Sequence, residues 1–381
     1  MIINRRAAGF LTGAALLLVA CATPSGAPAT SPGADPSTSA GASTANLADD
    51  ATSADPIDPT ALAGDAQAPL TGDDARLIVY SGRKESLIGP LVERFEAESG
   101  IAVEMRWGDT APLAATLLEE GDASPADVYF AQDPGGLGAV EGLLAPLPQA
   151  ILDRVPAAFR DPAGHWVGVS GRSRVVVYNT HTVKPQEIPA DLDGFTEPVW
   201  KGRIGWAPTN ASFQAMVTAM RSLWGEEKTR TWLAGMVANE PVAYESNAPV
   251  VAAVGAGEVE VGLVNHYYLH RFLVEEGEGF AARNHFMTGG GPGAMVLVSG
   301  AGILRTAAHR AAAERFVAFL LSDEAQRFFV TESWEYPVAA GIDGPDDLPP
   351  LADLKSPALP LADLADLQGT MDLLRETGVL P

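Results

Sequence analysis

From Arg76 onward the chain switches repeatedly between two hydrophobic rhythms. "RLIVYSG" (76–82) is a short apolar run rich in β-formers and stopped by Ser-Gly. "ESLIGPLVERFEAESG" (85–100) instead spaces its apolar residues for one helix face and stops at Gly100. The alternation repeats with strand "IAVEMRW" (101–107), helix "APLAATLLEEG" (111–121) and strand "ADVYFAQ" (126–132). Strand, helix, strand, helix, strand predicts a parallel sheet with crossover helices. "VVVYNT" (175–180) leads to a second series, with "RIGWAPT" (203–209), helices over 212–225 and 227–237, and strand "VEVGLVN" (259–265). "GAMVLVSGAGIL" (293–304) is an apolar strand long enough to run back to the first series. Amphipathic helix follows over 311–331, broken at Ser322, and again over 362–381. No internal repeat is visible.

Two α/β series joined by more than one chain crossing predict a bilobed protein with a cleft. Open α/β sheets bind ligands beyond the carboxyl ends of their strands, which singles out the loops after Val79, Phe130, Ala207 and Val264. The first loop carries Tyr80, Arg83, Lys84 and Glu85, and the second Gln132 and Asp133. The third carries Thr209, Asn210, Ala211 and Ser212 at a helix start, where free N–H groups and the positive dipole end suit an anion. A plain N-cap accounts for the same residues. The fourth loop carries two adjacent tyrosines, Tyr267 and Tyr268, between His266 and His270.

Composition adds a compartment. Ahead of the folded part, "MIINRR" and the apolar "AAGFLTGAALLLVA" have the form of a signal peptide over 1–20, too short for a comfortable membrane span. It runs into "LVAC", a lipobox ending at Cys21, the only cysteine among the 381 residues. That predicts acylation of Cys21, no disulfide, and a protein held by lipid alone at the outer face of the cytoplasmic membrane or in the periplasm. From Ala22 to Asp74 the chain has no Lys, Arg or aromatic residue. Such a segment reads as a disordered tether over 21–74, reaching about 40 Å as a flexible coil. The net charge of -23 argues against nucleic acid and anionic membrane surfaces as partners.

The tyrosine pair is the most specific chemical signal. Adjacent side chains oppose each other in a strand and diverge by about 100° in a helix, so two phenols converge only where regular structure breaks off. A phenol, with a pKa near 10, becomes a good ligand when a highly charged cation takes its proton. Fe³⁺ is such a cation, and the clustered Cys, Met or His of softer sites is absent from the pattern. One ring in the core and one capping a turn is the structural alternative.

Several stretches, in order, resemble the ferric-iron-binding proteins of bacterial ABC importers. They are "SPADVYF", "SGRSRVVVYNT", "WKGRIGWAPT", "GEVEVGLVNHYYLH", "PGAMVLVSGAG", "AERFVAFLLSDEAQR" and "EYPV". The resemblance implies an α/β fold of the type II periplasmic-binding-protein class, with 75–172 plus 299–342 as lobe 1 and 173–298 plus 343–381 as lobe 2. It implies a monomer that binds Fe³⁺ and delivers it to an ABC permease and ATPase. It carries the metal role to Tyr267 and Tyr268, and a synergistic anion, phosphate or carbonate, to Thr209, Asn210, Ala211, Ser212, Asn247 and Asn265.

This chain departs from the family twice. The first loop, "YSGRKES", has no histidine, and Gln132 stands where a glutamate is usual. Gln132, Asp133 and Glu85 are the candidates to complete the metal shell, and Arg83 to steady the anion. Arg172 and Arg174 read as hinge or cleft-wall residues offsetting phenolate charge, with direct anion contact as the lesser alternative, and His266 and His270 as packing or hydrogen-bonding residues. Rival readings are a receptor for a phosphonate, polyamine or sugar phosphate, and a serine hydrolase. "GVSGR" and "LVSGAG" do not give the G-x-S-x-G of the hydrolase.

Overall fold

A computed structural model describes residues 69–381 of the chain. The predicted signal peptide, Cys21 and nearly all of the predicted tether lie outside the described residues. The last tether positions do not read as disordered: Leu70 packs on the core, and Gly72–Ala75 form a 3-10 turn leading into the first strand.

The strands are β1 Arg76–Ser81, β2 Ala102–Trp107, β3 Val128–Ala131, β4 Leu144–Ala145, β5 Trp166–Asn179, β6 Ile204–Trp206, β7 Val242–Ala243, β8 Val261–Asn265, β9 Ala282–His285, β10 Val296–Leu304 and β11 Tyr336–Pro337. Their order is β2-β1-β3-β10-β5-β8-β6-β7, with β4 beside β10 and both β9 and β11 beside β5. β1 pairs in parallel with β2 and β3, as the alternating pattern predicts. β6 pairs in parallel with β7 and β8. The long strands that join the two halves run antiparallel.

β5 makes the connection. Its residues Trp166–Ser173 pair with β10, and Arg174–Tyr178 pair with β8. One buried strand therefore serves both halves, and the register slips between Ser299 and Gly300 of β10 close to the change of partner.

The helices follow from local signals. Gly100, at φ 70°, ends the helix Glu85–Ser99 by donating to the Glu96 carbonyl in a left-handed cap. Ser322 splits the predicted 311–331 helix into Arg310–Leu320 and Asp323–Glu332, accepting the Ala325 N–H at 3.2 Å. The last helix, Leu367–Glu376, packs on Ala211–Trp224, where the Thr218 and Thr370 hydroxyls lie 2.7 Å apart. Gly262 lets β8 approach the helix Asn247–Ala256, since a Cβ there would lie 2.4 Å from Val250. Among the described residues no helix is long and apolar enough to cross a membrane.

Candidate metal centre

β8 ends at Asn265, and the helix Tyr268–Glu276 begins three residues later. His266 still donates its N–H to the Ser173 carbonyl, as a strand residue would, while Tyr267 already has helical φ/ψ. The rings of Tyr267 and Tyr268 therefore straddle a change of regular structure and stack, with centroids 4.2 Å apart and planes at 27°. Both are buried, at 1% and 6% exposure. The Tyr267 Oη has no hydrogen-bond partner. Burial, then the neighbouring Tyr268, push the Tyr267 phenol well above its ordinary value, while Arg83 and Arg172 pull it down. A buried polar oxygen without a partner is uncommon, and this one lies close to two guanidiniums.

A polar network joins the second and third loops to β8. Ser212 Oγ receives Asn265 Nδ2 at 3.0 Å, Gln132 Nε2 at 3.2 Å and Arg172 Nη1 at 3.4 Å. Three donors exceed the two lone pairs of a hydroxyl, which leaves donor capacity for a ligand. Asn265 Oδ1 in turn accepts Arg174 Nη1 at 3.0 Å. Asn210 caps the helix Ala211–Trp224 by accepting the Ser212 N–H and is 3.4 Å from Asn247 Nδ2. The Asn247 Oδ1 has no partner. A cleft of about 650 Å³ is lined by Gly82 and Gln132 from the first half and by Thr209, Asn210 and Ala211 from the second.

Three guanidiniums are buried around this network, those of Arg83, Arg172 and Arg174. Each has two nitrogens without a hydrogen-bond partner. Arg83 forms a fully buried ion pair with Glu335. Burial works against the Arg83 charge, yet Glu335 and the two phenol oxygens outweigh it and hold the group above its usual value. Burial, and then Arg83, lower the Arg172 value; Arg174 falls to about 9 through burial and remains charged at neutral pH. Free, charged N–H groups of this kind can donate to an oxyanion.

The other candidates separate clearly. Asp133 is buried, caps the helix Pro134–Ala139 through the Gly136 N–H and leaves Oδ2 unpartnered. Its carboxyl is raised to about 6 by burial, against the pull of Arg172. Glu85 is exposed at the start of its helix and does not join the cluster, so the expectation that it reaches the metal finds no support in its position. Thr209 is exposed and spends its hydroxyl on the Glu245 carbonyl at 3.3 Å. Tyr80 bonds Glu120 and Arg106, away from the pair. His266 is no ligand: Nε2 donates to the Trp334 carbonyl at 2.7 Å and Nδ1 accepts the Ser173 N–H at 3.1 Å. His270 stacks on Trp334 and faces Asp347.

The model of a family described as bacterial extracellular solute-binding protein matches residues 122–359. The chain belongs to that family. It is 34% identical over 311 residues to the Fe(3+)-binding periplasmic protein of Serratia marcescens, covering 81% of this chain and 91% of that one. It is 33% identical over 314 residues to the major ferric iron-binding protein of Neisseria meningitidis, covering 80% and 93%. Iron-bound HitA from Pseudomonas aeruginosa superposes with a TM-score of 0.76 at 35% identity, covering 80% of this chain and 99% of that chain. The family resemblance drawn from the motifs is borne out, and so is the bilobed type II periplasmic-binding-protein fold.

One buried charged residue beside this network was not singled out from the sequence. Glu335 lies in "EYPV", a stretch that gave the resemblance, but its partner Arg83 is 252 positions away. The network itself is testable without any ligand. Ser212→Ala removes the oxygen on which Asn265, Gln132 and Arg172 converge and strands buried donors. The expected cost is about 1–3 kcal/mol of stability, read from the urea midpoint of the ligand-free protein. An unchanged midpoint would show that these donors have other acceptors.

Proposed function

We propose that this solute-binding protein captures Fe³⁺ between its lobes through the phenolate oxygens of Tyr267 and Tyr268 and passes it to an ABC permease and its ATPase. The observation that carries the reading is the stacked, buried phenol pair at the β8 junction, facing three guanidiniums with free N–H groups. The names of the relatives support the same cargo. Two phenolates give Fe³⁺ two negative charges and two of six octahedral positions. Phosphate or carbonate adds oxygens and charge, held by Arg83, Arg172, Asn247, Asn265 and the helix start at Asn210–Ser212. Asp133 Oδ2, buried and unpartnered, and the Gln132 amide are the remaining oxygen donors from the first half. The lobes are read as 75–172 plus 299–342 and 173–298 plus 343–381, following the change of partner along β5.

Tyr267→Phe and Tyr268→Phe are each expected to abolish the visible iron–phenolate band and weaken Fe³⁺ binding by at least a hundredfold, with unchanged circular dichroism. Normal spectra in both variants would place the metal elsewhere. A protein that bound phosphate yet stayed colourless with ferric citrate would favour an oxyanion receptor instead.

With only two tyrosine ligands and no histidine in the first loop, iron binding should depend on the anion. Fe³⁺ titrated into protein dialysed free of phosphate and carbonate is expected to bind at least tenfold more weakly than after either anion is restored. Equal affinity in every buffer would mean that side chains complete the shell unaided.

Cys21 is the proposed lipid attachment point, since no other thiol exists in the chain. Cys21→Ser is expected to leave unacylated protein. Mass spectrometry finding an unmodified Cys21 in native mature protein would refute the anchor.

A further inference from the structure

Glu335 is fully buried, and both of its carboxylate oxygens are bound, one by a guanidinium and one by a hydroxyl. One carboxylate oxygen meets Arg83, and the other accepts the Ser170 hydroxyl, which is 2.7 Å from Ser299 Oγ. Ser170 and Ser299 face each other on β5 and β10, beside the register slip. The residue before it, Trp334, has φ 52°, a conformation seldom adopted outside glycine. That turn is held from the other half of the molecule: the Trp334 carbonyl accepts His266 Nε2, and the indole stacks on His270 at 5.5 Å. A strained residue fixed from two sides, next to a buried charge, marks a segment whose position matters to a site.

We propose that Glu335 is a positioning residue that sets the charge and aim of Arg83, so that a pocket holding three arginines still admits a trivalent cation. The inference rests on the Fe³⁺ reading above and goes beyond it. Arg83 occupies the first loop, where a neutral ligand residue would leave no extra charge. Three guanidiniums favour an anion and repel a metal, and one carboxylate among them offsets part of that field. Because Glu335 binds Nη2 of Arg83, the Nε and Nη1 groups stay unpartnered and available beside Tyr267. Without Glu335, Arg83 loses its anchor and the pocket gains one positive charge.

The two consequences have opposite signs, which separates this role from simple packing. In Glu335→Gln, phosphate affinity of the iron-free protein is expected to rise about tenfold, while Fe³⁺ affinity at fixed phosphate falls about tenfold. Glu335→Asp, which restores the charge on a shorter arm, is expected to recover most of the phosphate constant and less of the iron constant. Arg83→Met combined with Glu335→Gln removes the pair together and guards against a folding failure of the single variant. In that double variant Glu335 should have no further effect beyond Arg83→Met alone. Equal phosphate and iron constants in folded wild-type and Glu335→Gln protein overturn the inference, as does a parallel loss of both. A wild-type protein without an iron–phenolate band would overturn the Fe³⁺ reading and this inference with it; a wild-type band with unchanged variants overturns the inference alone.

Discussion

Three arginine side chains are enclosed where the two halves of this molecule meet, and most of the surrounding arrangement answers to their charge. A buried guanidinium without an acceptor is costly, so each must find oxygen nearby. Glu335 serves Arg83, Ser212 serves Arg172 and Asn265 serves Arg174. The acceptors come from β8, from the helix start at Ala211 and from the turn after the helix Asp323–Glu332, which ties distant segments to one point. The acceptors are nonetheless too few, since every one of the three arginines keeps two nitrogens unpartnered. That surplus of positive charge lowers the cost of negative charge placed beside it.

The placement of the phenols is a backbone matter. A strand would send Tyr267 and Tyr268 to opposite faces and a helix would splay them. At the end of β8 the chain keeps strand pairing through His266 and adopts helical torsions at Tyr267. Gly262 contributes by letting β8 sit close against the helix that carries Asn247. His266, neutral with its pKa lowered to about 4 by burial, closes the junction with hydrogen bonds to β5 and to Trp334.

The absence of a first-loop histidine changes the character of the pocket. Arg83 stands in that loop instead, and Glu335 supplies its counter-charge from a remote part of the chain. The same carboxylate touches Ser170, on the strand shared by both halves. The Arg83 pair and the geometry of β5 and β10 thus share a residue.

The sequence alone determined the parallel β1–β3 unit, the long return strand β10, the helix stops at Gly100 and Ser322, the adjacent tyrosine pair and the polar helix start at Asn210–Ser212. Each of these is written in local periodicity, a cap or an adjacent pair, and each holds in the structure as an element or a position. What the sequence could not determine was which charged residues meet. Arg83 and Glu335 are 252 positions apart, and no periodic pattern encodes a contact of that range. Glu85 and Arg83 are near neighbours in sequence, yet the turn into the helix exposes one and buries the other. Tertiary structure decided these pairings because the strength of a charge depends on its burial and its partner, and both are set only when the two halves close over β5.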